Sequence, residues 1–242
     1  MNRTLLFGEG LFETIKWKGE SKKLNLHYER LKSSADFFDI PCPSYDEFVN
    51  DIRRACGKLT DIYVKFCLFS AGGSTFYEKP LQYSSQIIVK QLPKPPNEIS
   101  LDISQYRRHS KNPLWRHKTM NYMFNIIVKR NSIKKDMYDS VILNENDYIT
   151  ECSSSNLVIA KKDKLFTPAK ETGLLWGTTL EILHQRFDIK EEYLKVTDLI
   201  EAESILMLNS IIGAVCVNNF AGHRKYINAG LLNQLNSEIE KW

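Results

Sequence analysis

The sequence predicts a two-domain protein of the α/β (α+β) class, with a small N-terminal α/β domain and a larger C-terminal barrel-like domain. Its 242 residues, 43% of them hydrophobic, suffice for one large core or two small ones. Three prolines fall within six residues of the stretch KQLPKPPNEIS, and they favour a stiff connector over a helix or a central strand. We therefore predict a small domain over 1–92, a linker over 93–98 and a larger domain over 99–242.

The predicted small domain mixes strands with amphipathic helices. In order, its segments are LFETIKW (a strand ending near Gly19), HYERLKSSADFF and YDEFVNDIRRACGKL (helices), and YVKFCLFSAGG and SSQIIVKQL (strands). This mixture indicates a compact α/β or α+β unit.

The predicted larger domain contains short strands on both sides of a helix. In order, its segments are LDISQY (a strand), TMNYMFNIIVKRNSIKK (an apolar helix over 119–135), DSVILN, LVIAKK and KLFTPA (short strands), TTLEILHQRF (a helix), and ESILMLN and AVCVNN (further strands). Clustered short strands of this kind favour a mostly antiparallel or barrel-like domain.

Composition excludes several classes of function. A formal charge of +4, spread along the chain, argues against binding to nucleic acid or a membrane, although it permits a small anionic ligand. No apolar run approaches the roughly 20 residues of a membrane span, and the N-terminus lacks the features of a signal peptide, so we expect a cytoplasmic protein. The five histidines have no ligand spacing, and we predict no metal site.

The stretch ITECSSSN, residues 149–156, interrupts what otherwise reads as a hairpin between DSVILN and LVIA. Serine and asparagine are ordinary turn residues, so a polar turn is one interpretation. A turn does not need Glu151 followed by three serines, and a binding role is the alternative.

Three further positions have both an ordinary and a functional interpretation. Gly177 precedes two threonines that open a helix. The unpaired amides at this helix start could bind an anion, or the threonine could be an ordinary N-cap residue. Arg30 lies on an amphipathic helix and is either a solvated side chain or an anion ligand. Lys118 stands between a polar loop and an apolar helix, where partial burial would favour a nucleophilic amine.

Six segments, in order, resemble the class IV aminotransferases, the fold-type IV pyridoxal-phosphate enzymes that include branched-chain and D-amino acid aminotransferases and aminodeoxychorismate lyase. The segments are FGEGLFETIK, HYERL, HKTMNY, ITECSSSNLV, LFTPAKETGLLWGTTLEIL and LNSIIGAVCV. The resemblance implies the two-domain architecture of that family, pyridoxal 5'-phosphate as cofactor, a small-molecule amino substrate and a homodimer.

The resemblance also implies roles for individual residues. Lys118 would be the lysine that forms a Schiff base with the cofactor, and Tyr122, expected on the same helix face, would lie near it. Glu151 matches the acid that pairs with the pyridine nitrogen, which makes the ring a better electron sink. The residues implied to bind the cofactor phosphate are Arg30, Thr178, Thr179 and Ser210, and Asn156, at the end of the serine run, would line the cofactor wall.

The expected substrate contacts depart partly from the family pattern. Lyases of the family often carry an arginine in a G-G-R-G-Y segment, whereas this chain has AGGSTFY. Recognition of the substrate carboxylate is then expected from Arg107, Arg108 or Arg116. Thr14 matches a threonine that lyases place near the substrate, and Asn209 lies in a segment that resembles their N-A-L-M.

These features favour a lyase that converts 4-amino-4-deoxychorismate to 4-aminobenzoate and pyruvate for folate biosynthesis, with Lys118, Thr14 and Tyr122 as catalytic residues. The alternative is a transaminase of the branched-chain or D-amino acid type, which the missing arginine and the segment ECSSSN favour. A third hypothesis is a non-catalytic member that binds a phosphate ligand or serves as an interaction partner.

Overall fold

The computed structural model describes residues 1–96 and 99–242. The chain forms two compact units, one of Met1–Lys94 with His117–Tyr122, and the other of Pro95–Arg116 with Met123–Trp242. The last two residues of the predicted linker over 93–98 lie outside the described residues, and the domain limits drawn from sequence stay a prediction.

The first unit packs two longer helices on an antiparallel sheet of order β1-β2-β3. Its elements are α1 (Arg3–Phe7), β1 (Gly10–Trp17), α2 (Lys22–Phe37), α3 (Tyr45–Cys56), β2 (Ile62–Ala71) and β3 (Gln82–Gln91). Alternate residues of β1, including Leu11 and Ile15, join Leu31 and Phe48 of the helices in one core. Consecutive residues of β1 therefore serve opposite faces of the sheet.

The second unit contains two five-stranded sheets, of order β11-β10-β7-β8-β9 and β13-β12-β4-β5-β6. Its elements are β4 (Ser100–Arg108), a 3-10 turn (Pro113–Arg116), α4 (Met123–Lys134), β5 (Asp139–Asn144), β6 (Ile149–Cys152), β7 (Asn156–Lys161), β8 (Lys164–Pro168), α5 (Thr178–Arg186), β9 (Ile189–Glu192), α6 (Val196–Glu201), β10 (Ser204–Asn209), β11 (Gly213–Cys216), β12 (Asn219–Phe220), β13 (His223–Arg224) and α7 (Ala229–Glu240). The predicted α/β (α+β) class is confirmed.

The helix predicted over 119–135 is shorter at its start. It begins at Met123, and Tyr122 therefore lies outside it, contrary to the prediction that Tyr122 follows Lys118 on one helix face. The reason is a tertiary hydrogen-bond pattern. The Phe12 amide donates to the Lys118 carbonyl at 3.0 Å and the Met120 amide to the Gly10 carbonyl at 2.8 Å, which holds this segment extended along β1.

The hairpin expected between DSVILN and LVIA is also wrong. DSVILN forms β5 and pairs with β6, whereas LVIA belongs to β7, which pairs with β10 and β8 in the other sheet. Residues 153–155 carry the chain from one sheet to the other. A polar segment suits this passage because its side chains can bond backbone groups that no strand satisfies.

Across the two described ranges, no helix has both the length and the apolar character needed to traverse a lipid bilayer.

Candidate functional site

Lys118 lies in the first unit, in a segment that covers the free edge of β1. Next to it, His117 packs toward α2, where its Nδ1 is 3.0 Å from Ser34 Oγ and its ring stacks on Phe37 at 4.4 Å. Because side chains alternate along an extended segment, Lys118 points the other way. Its Nζ lies 4.5 Å from the centroid of the Phe12 ring.

Several candidate residues lie around the Phe12 ring. A second ammonium group, Nζ of Lys65 on β2, lies 4.2 Å from the same ring centroid, and the Tyr122 ring meets Phe12 edge to face at 5.3 Å. Thr14 follows on the same face of β1, its Cα partner on β2 is Lys65, and its side chain hydrogen-bonds Tyr63. One sheet face thus carries Lys118, Tyr122 and Thr14, three of the predicted residues, together with a lysine that sequence reasoning did not select.

Arg30 lies on α2 against Glu13. Its Nε donates to Glu13 Oε1 at 2.8 Å and its Nη2 to Glu13 Oε2 at 2.5 Å, a two-point ion pair. Glu13 is fully buried and also accepts a bond from His27 Nδ1 at 2.6 Å. The phosphate role of Arg30 stays a prediction.

In the second unit, Glu151 on β6 pairs with Arg108 on β4. Arg108 Nη1 donates to Glu151 Oε1, and the side chains are 2% and 8% exposed. The Arg108 guanidinium also lies over the Trp115 ring at 4.7 Å and the Phe124 ring at 5.4 Å. The Arg108 guanidinium offsets part of the cost of burying the Glu151 carboxylate, and it leaves that carboxylate in a site that suits a positively charged partner.

Asn156 connects Glu151 to the turn before α5. Its Nδ2 donates to Glu151 Oε2 at 3.2 Å and to the Leu175 carbonyl at 2.8 Å, while its Oδ1 accepts from the Gly177 amide at 3.1 Å. A Cβ placed on Gly177 would lie 2.2 Å from that oxygen, so only glycine fits. The structure therefore brings Glu151, Asn156 and the start of α5 into one hydrogen-bonded group.

The N-terminus of α5 fits an anionic group. Gly177 is the N-cap and offers no side-chain cap, so the first amides of the helix are open to a ligand. The hydroxyl Oγ1 of Thr179 is buried and has no hydrogen-bond partner among the described residues. Together with the Thr178 hydroxyl, these donors suit the phosphate of pyridoxal phosphate.

Hydrogen bonds with Asp139 and Asn209 hold the serine run, residues 153–155, in place. Asp139 accepts bonds from the Ser153 amide at 3.2 Å and hydroxyl at 2.8 Å, and burial raises the pKa of this carboxyl. Asn209 donates to Ser155 Oγ at 3.0 Å, and its own Oδ1 accepts from the amides of residues 211 and 212. These bonds fix the turn that contains Ser210, which is partly buried.

The arginines expected to bind substrate have different environments. Arg107 is half exposed and pairs with Asp147 at 2.6 Å, and Arg116 is exposed at the end of the 3-10 turn. Arg108 is buried against Glu151. Substrate binding by Arg107 and Arg116 stays a prediction, whereas Arg108 belongs with Glu151.

Sequence reasoning missed Lys65, the Arg108–Glu151 pair and the Glu13–His27 pair. A signal for Lys65 was present, because YVKFCLF places a single charge inside an apolar strand. Similarly, Glu13 interrupts the apolar core positions Leu11 and Ile15 of β1. A charged residue at a buried position is costly unless another group pairs with it, so both positions indicated further polar contacts.

Comparison with known proteins supports the family resemblance independently. Residues 10–220 match the family described as Amino-transferase class IV. Over 205 residues the chain is 28% identical to the "Probable branched-chain-amino-acid aminotransferase" of Thermotoga maritima, covering 81% of this chain and 71% of the relative. It is 22% identical over 240 residues to the "Aminodeoxychorismate lyase" of Vibrio harveyi, covering 94% and 89%.

Solved structures agree with the fold. A Legionella pneumophila protein named "Putative 4-amino-4-deoxychorismate lyase" superposes with a TM-score of 0.91 at 24% identity, over 99% of this chain and 93% of its own. A Brucella abortus aminotransferase, solved with pyridoxal phosphate bound, gives a TM-score of 0.87 at 18% identity, over 100% and 91%.

Proposed function

Because the chain belongs to the class IV aminotransferase family and is a pyridoxal-phosphate-dependent enzyme, we propose that it is a lyase which converts 4-amino-4-deoxychorismate to 4-aminobenzoate and pyruvate. The relatives are named both as lyases and as aminotransferases, so the choice between these reactions rests on the residues around Lys118.

The observation that carries the proposal is Lys65, a second lysine against the Phe12 ring that Lys118 contacts. The Nζ atoms of Lys65 and Lys118 lie 4.2 Å and 4.5 Å from the centroid of that ring, so Lys65 adds a cation to the sheet face where Lys118 would bind the cofactor. A carboxylate beside Lys65 would be strongly attracted there. The proposed substrate carries two carboxylates, one on the ring and one on the enolpyruvyl group, whereas a branched-chain amino acid carries one carboxylate and an apolar side chain.

The residues that would hold the cofactor are those described above. Lys118 would bind it covalently, Glu151 would pair with its pyridine nitrogen, and its phosphate would take bonds from Arg30, the start of α5 and Ser210. When bound, the cofactor supplies an electron sink for the bond that breaks at the substrate carbon. Asn156 would keep the Glu151 carboxylate and the phosphate turn in fixed relation.

The proton steps fall to residues of the first unit. As a neutral amine, Lys118 would remove the proton from the ring carbon that bears the amino group. Electrons from that C–H bond form the aromatic ring, and the C–O bond to the enolpyruvyl group breaks. The departing enolate takes up a proton to become pyruvate. Thr14, held by Tyr63, would contact the substrate beside Lys65.

A transaminase remains the second candidate, favoured by the Thermotoga maritima relative. In that reaction Lys118 would again move the proton, without elimination, and the cofactor would supply the carrier for the amino group. An oxo acid would then be released in place of pyruvate and 4-aminobenzoate, and a second oxo acid would be required to complete the cycle.

The test is release of 4-aminobenzoate and pyruvate from 4-amino-4-deoxychorismate by the cofactor-loaded enzyme. We expect equal amounts of both products, and none from Lys118→Ala. Lys65→Met should raise KM for this substrate about tenfold, and Lys65→Arg should restore most of the loss. Lys90→Met is the matched control, since Lys90 is an exposed lysine on the neighbouring strand β3. Amino-group transfer without pyruvate release would replace the lyase with the transaminase.

Two further expectations belong to this proposal. We propose a cytoplasmic homodimer, as the family resemblance implies. Light scattering of the purified enzyme at twice the 28.1 kDa chain mass would support the dimer, and a value at the chain mass would overturn it.

A further inference from the structure

Arg30 forms a largely buried cluster with two other side chains, Glu13 and His27. Glu13 of β1 and His27 of α2 are each 0% exposed, and Arg30, one turn after His27, is 15% exposed at its side chain. Residues three apart on a helix share a face, which is why His27 and Arg30 meet the same carboxylate. All three belong to the first unit.

Burial and hydrogen bonding together determine the protonation states of the cluster. Burial alone would raise the pKa of Glu13, but the Arg30 charge and the bonds from His27 and Arg30 outweigh it and hold that pKa at about 2. Burial lowers the pKa of His27. At neutral pH the cluster is therefore a carboxylate, a neutral imidazole and a guanidinium. Since an ionised carboxylate only accepts, His27 donates through Nδ1.

The geometry points to a function beyond neutralising charge. A guanidinium held along one edge, through Nε and Nη2, has its plane and direction fixed. Each carboxylate oxygen is engaged, and His27 fixes the carboxylate in turn at 2.6 Å. A surface arginine needs no such support, because solvent would satisfy it at little cost.

We propose that Glu13 and His27 are positioning residues that hold Arg30 for recognition of the phosphate of pyridoxal phosphate. This inference rests on the phosphate role of Arg30 in the proposed function. Because the Glu13 charge offsets that of Arg30, the pair contributes directed hydrogen bonds more than net attraction. Misdirecting Arg30 should therefore weaken binding of a phosphate-bearing ligand and leave a phosphate-free analogue unaffected.

The experiment compares binding of pyridoxal 5'-phosphate and of pyridoxal, followed by visible absorbance of the full-length protein. Glu13→Gln keeps the shape but turns an amide donor or a weaker acceptor toward Arg30. We expect it to weaken binding of the phosphate form about tenfold and to leave pyridoxal binding unchanged. Equal losses for both ligands, or no loss, would overturn the inference in favour of a purely structural cluster.

A second pair of variants guards against failure of Glu13→Gln to fold. His27→Leu removes the Nδ1 donor, whereas His27→Asn keeps a donor near the same place. The inference requires the phosphate-specific loss in His27→Leu and its substantial recovery in His27→Asn. Equal behaviour of the two variants would refute it.

Arg30→Ala separates this inference from the proposed function. If Arg30→Ala keeps the preference for the phosphate form, the role of Arg30 is wrong and the inference falls with it. If Arg30→Ala loses that preference but Glu13→Gln and His27→Leu keep it, Arg30 binds phosphate without help and only the positioning role is refuted. When Arg30 is already alanine, adding Glu13→Gln should cause no further phosphate-specific loss.

Discussion

Gly177→Ala should destabilise the protein strongly, although its backbone suits alanine. The φ of Gly177 is −76°, so no conformational strain arises and a Gly to Ala change would ordinarily add about 0.4–1 kcal/mol of stability. Here the new Cβ would lie 2.2 Å from Asn156 Oδ1. The Asn156 amide must move, and it is buried and makes three hydrogen bonds, to Gly177, Glu151 and Leu175.

The cost can be estimated from these contacts. Each lost hydrogen bond is worth about 0.5–1.5 kcal/mol, and overpacking adds about 1–3 kcal/mol. Allowing for partial relaxation, we expect the free energy of unfolding to fall by about 3 kcal/mol. Urea denaturation followed by circular dichroism measures it. Gly230→Ala on α7 is the matched control, because its nearest contact is 3.5 Å away and a helical alanine should be neutral or stabilising.

A double mutant identifies the cause. Asn156→Ala removes the obstructing oxygen, so adding Gly177→Ala to it should cost little more than Asn156→Ala alone. A stable Gly177→Ala single mutant would refute the clash. A double mutant whose losses simply add would show that the clash with Asn156 is not the cause.

Three other predictions follow from the two units. Arg108→Met leaves the Glu151 carboxylate buried without its cation and should lower the free energy of unfolding by about 3 kcal/mol, with partial recovery in Arg108→Met/Glu151→Gln; an unchanged urea midpoint would contradict the pairing. Thr179→Val removes a buried hydroxyl that has no partner in the described structure, so thermal unfolding of the apoprotein should be unchanged or slightly later, while pyridoxal-phosphate affinity falls about tenfold; an early unfolding transition would instead mean an internal partner. The Glu13 ion pair stabilises the fold above the ordinary carboxyl pKa of 4.5, and this stabilisation is lost as pH falls toward 2; the difference in Tm between wild type and Glu13→Gln should therefore shrink over that range, and a constant difference would exclude linkage to Glu13.

Local sequence patterns predicted most strands and helices, because the spacing of apolar residues along the chain matches the period of the strand or helix that buries them. They failed at residues 119–122, where composition favours a helix but the free edge of β1 offers backbone partners that only the folded unit contains. The same limit applies to the passage from β6 to β7, since two adjacent apolar runs look alike whether they pair with each other or with different sheets.

The sequence suggested roles for individual residues only where a motif distinguished one residue from others of its type, and those roles stay predictions. Arg107 and Arg108 show the limit. Alternation along β4 places them on opposite faces, but the sequence does not say which face is buried, and the structure buries Arg108 against Glu151. For Lys65 the sequence showed a single charge inside an apolar strand, but only the structure shows that its Nζ contacts the same Phe12 ring as Lys118.

The return of His117–Tyr122 to the first unit has a consequence for synthesis of the chain. During translation, residues 1–94 emerge from the ribosome before this segment does, so β1 has an uncovered edge until residue 122 has emerged. A nascent small unit is thus exposed to strand pairing with neighbouring chains for as long as it takes to make about thirty more residues. The same segment covers the edge of β1 and carries Lys118. A chain in which Lys118 is not yet in position therefore also has an unpaired β1 edge.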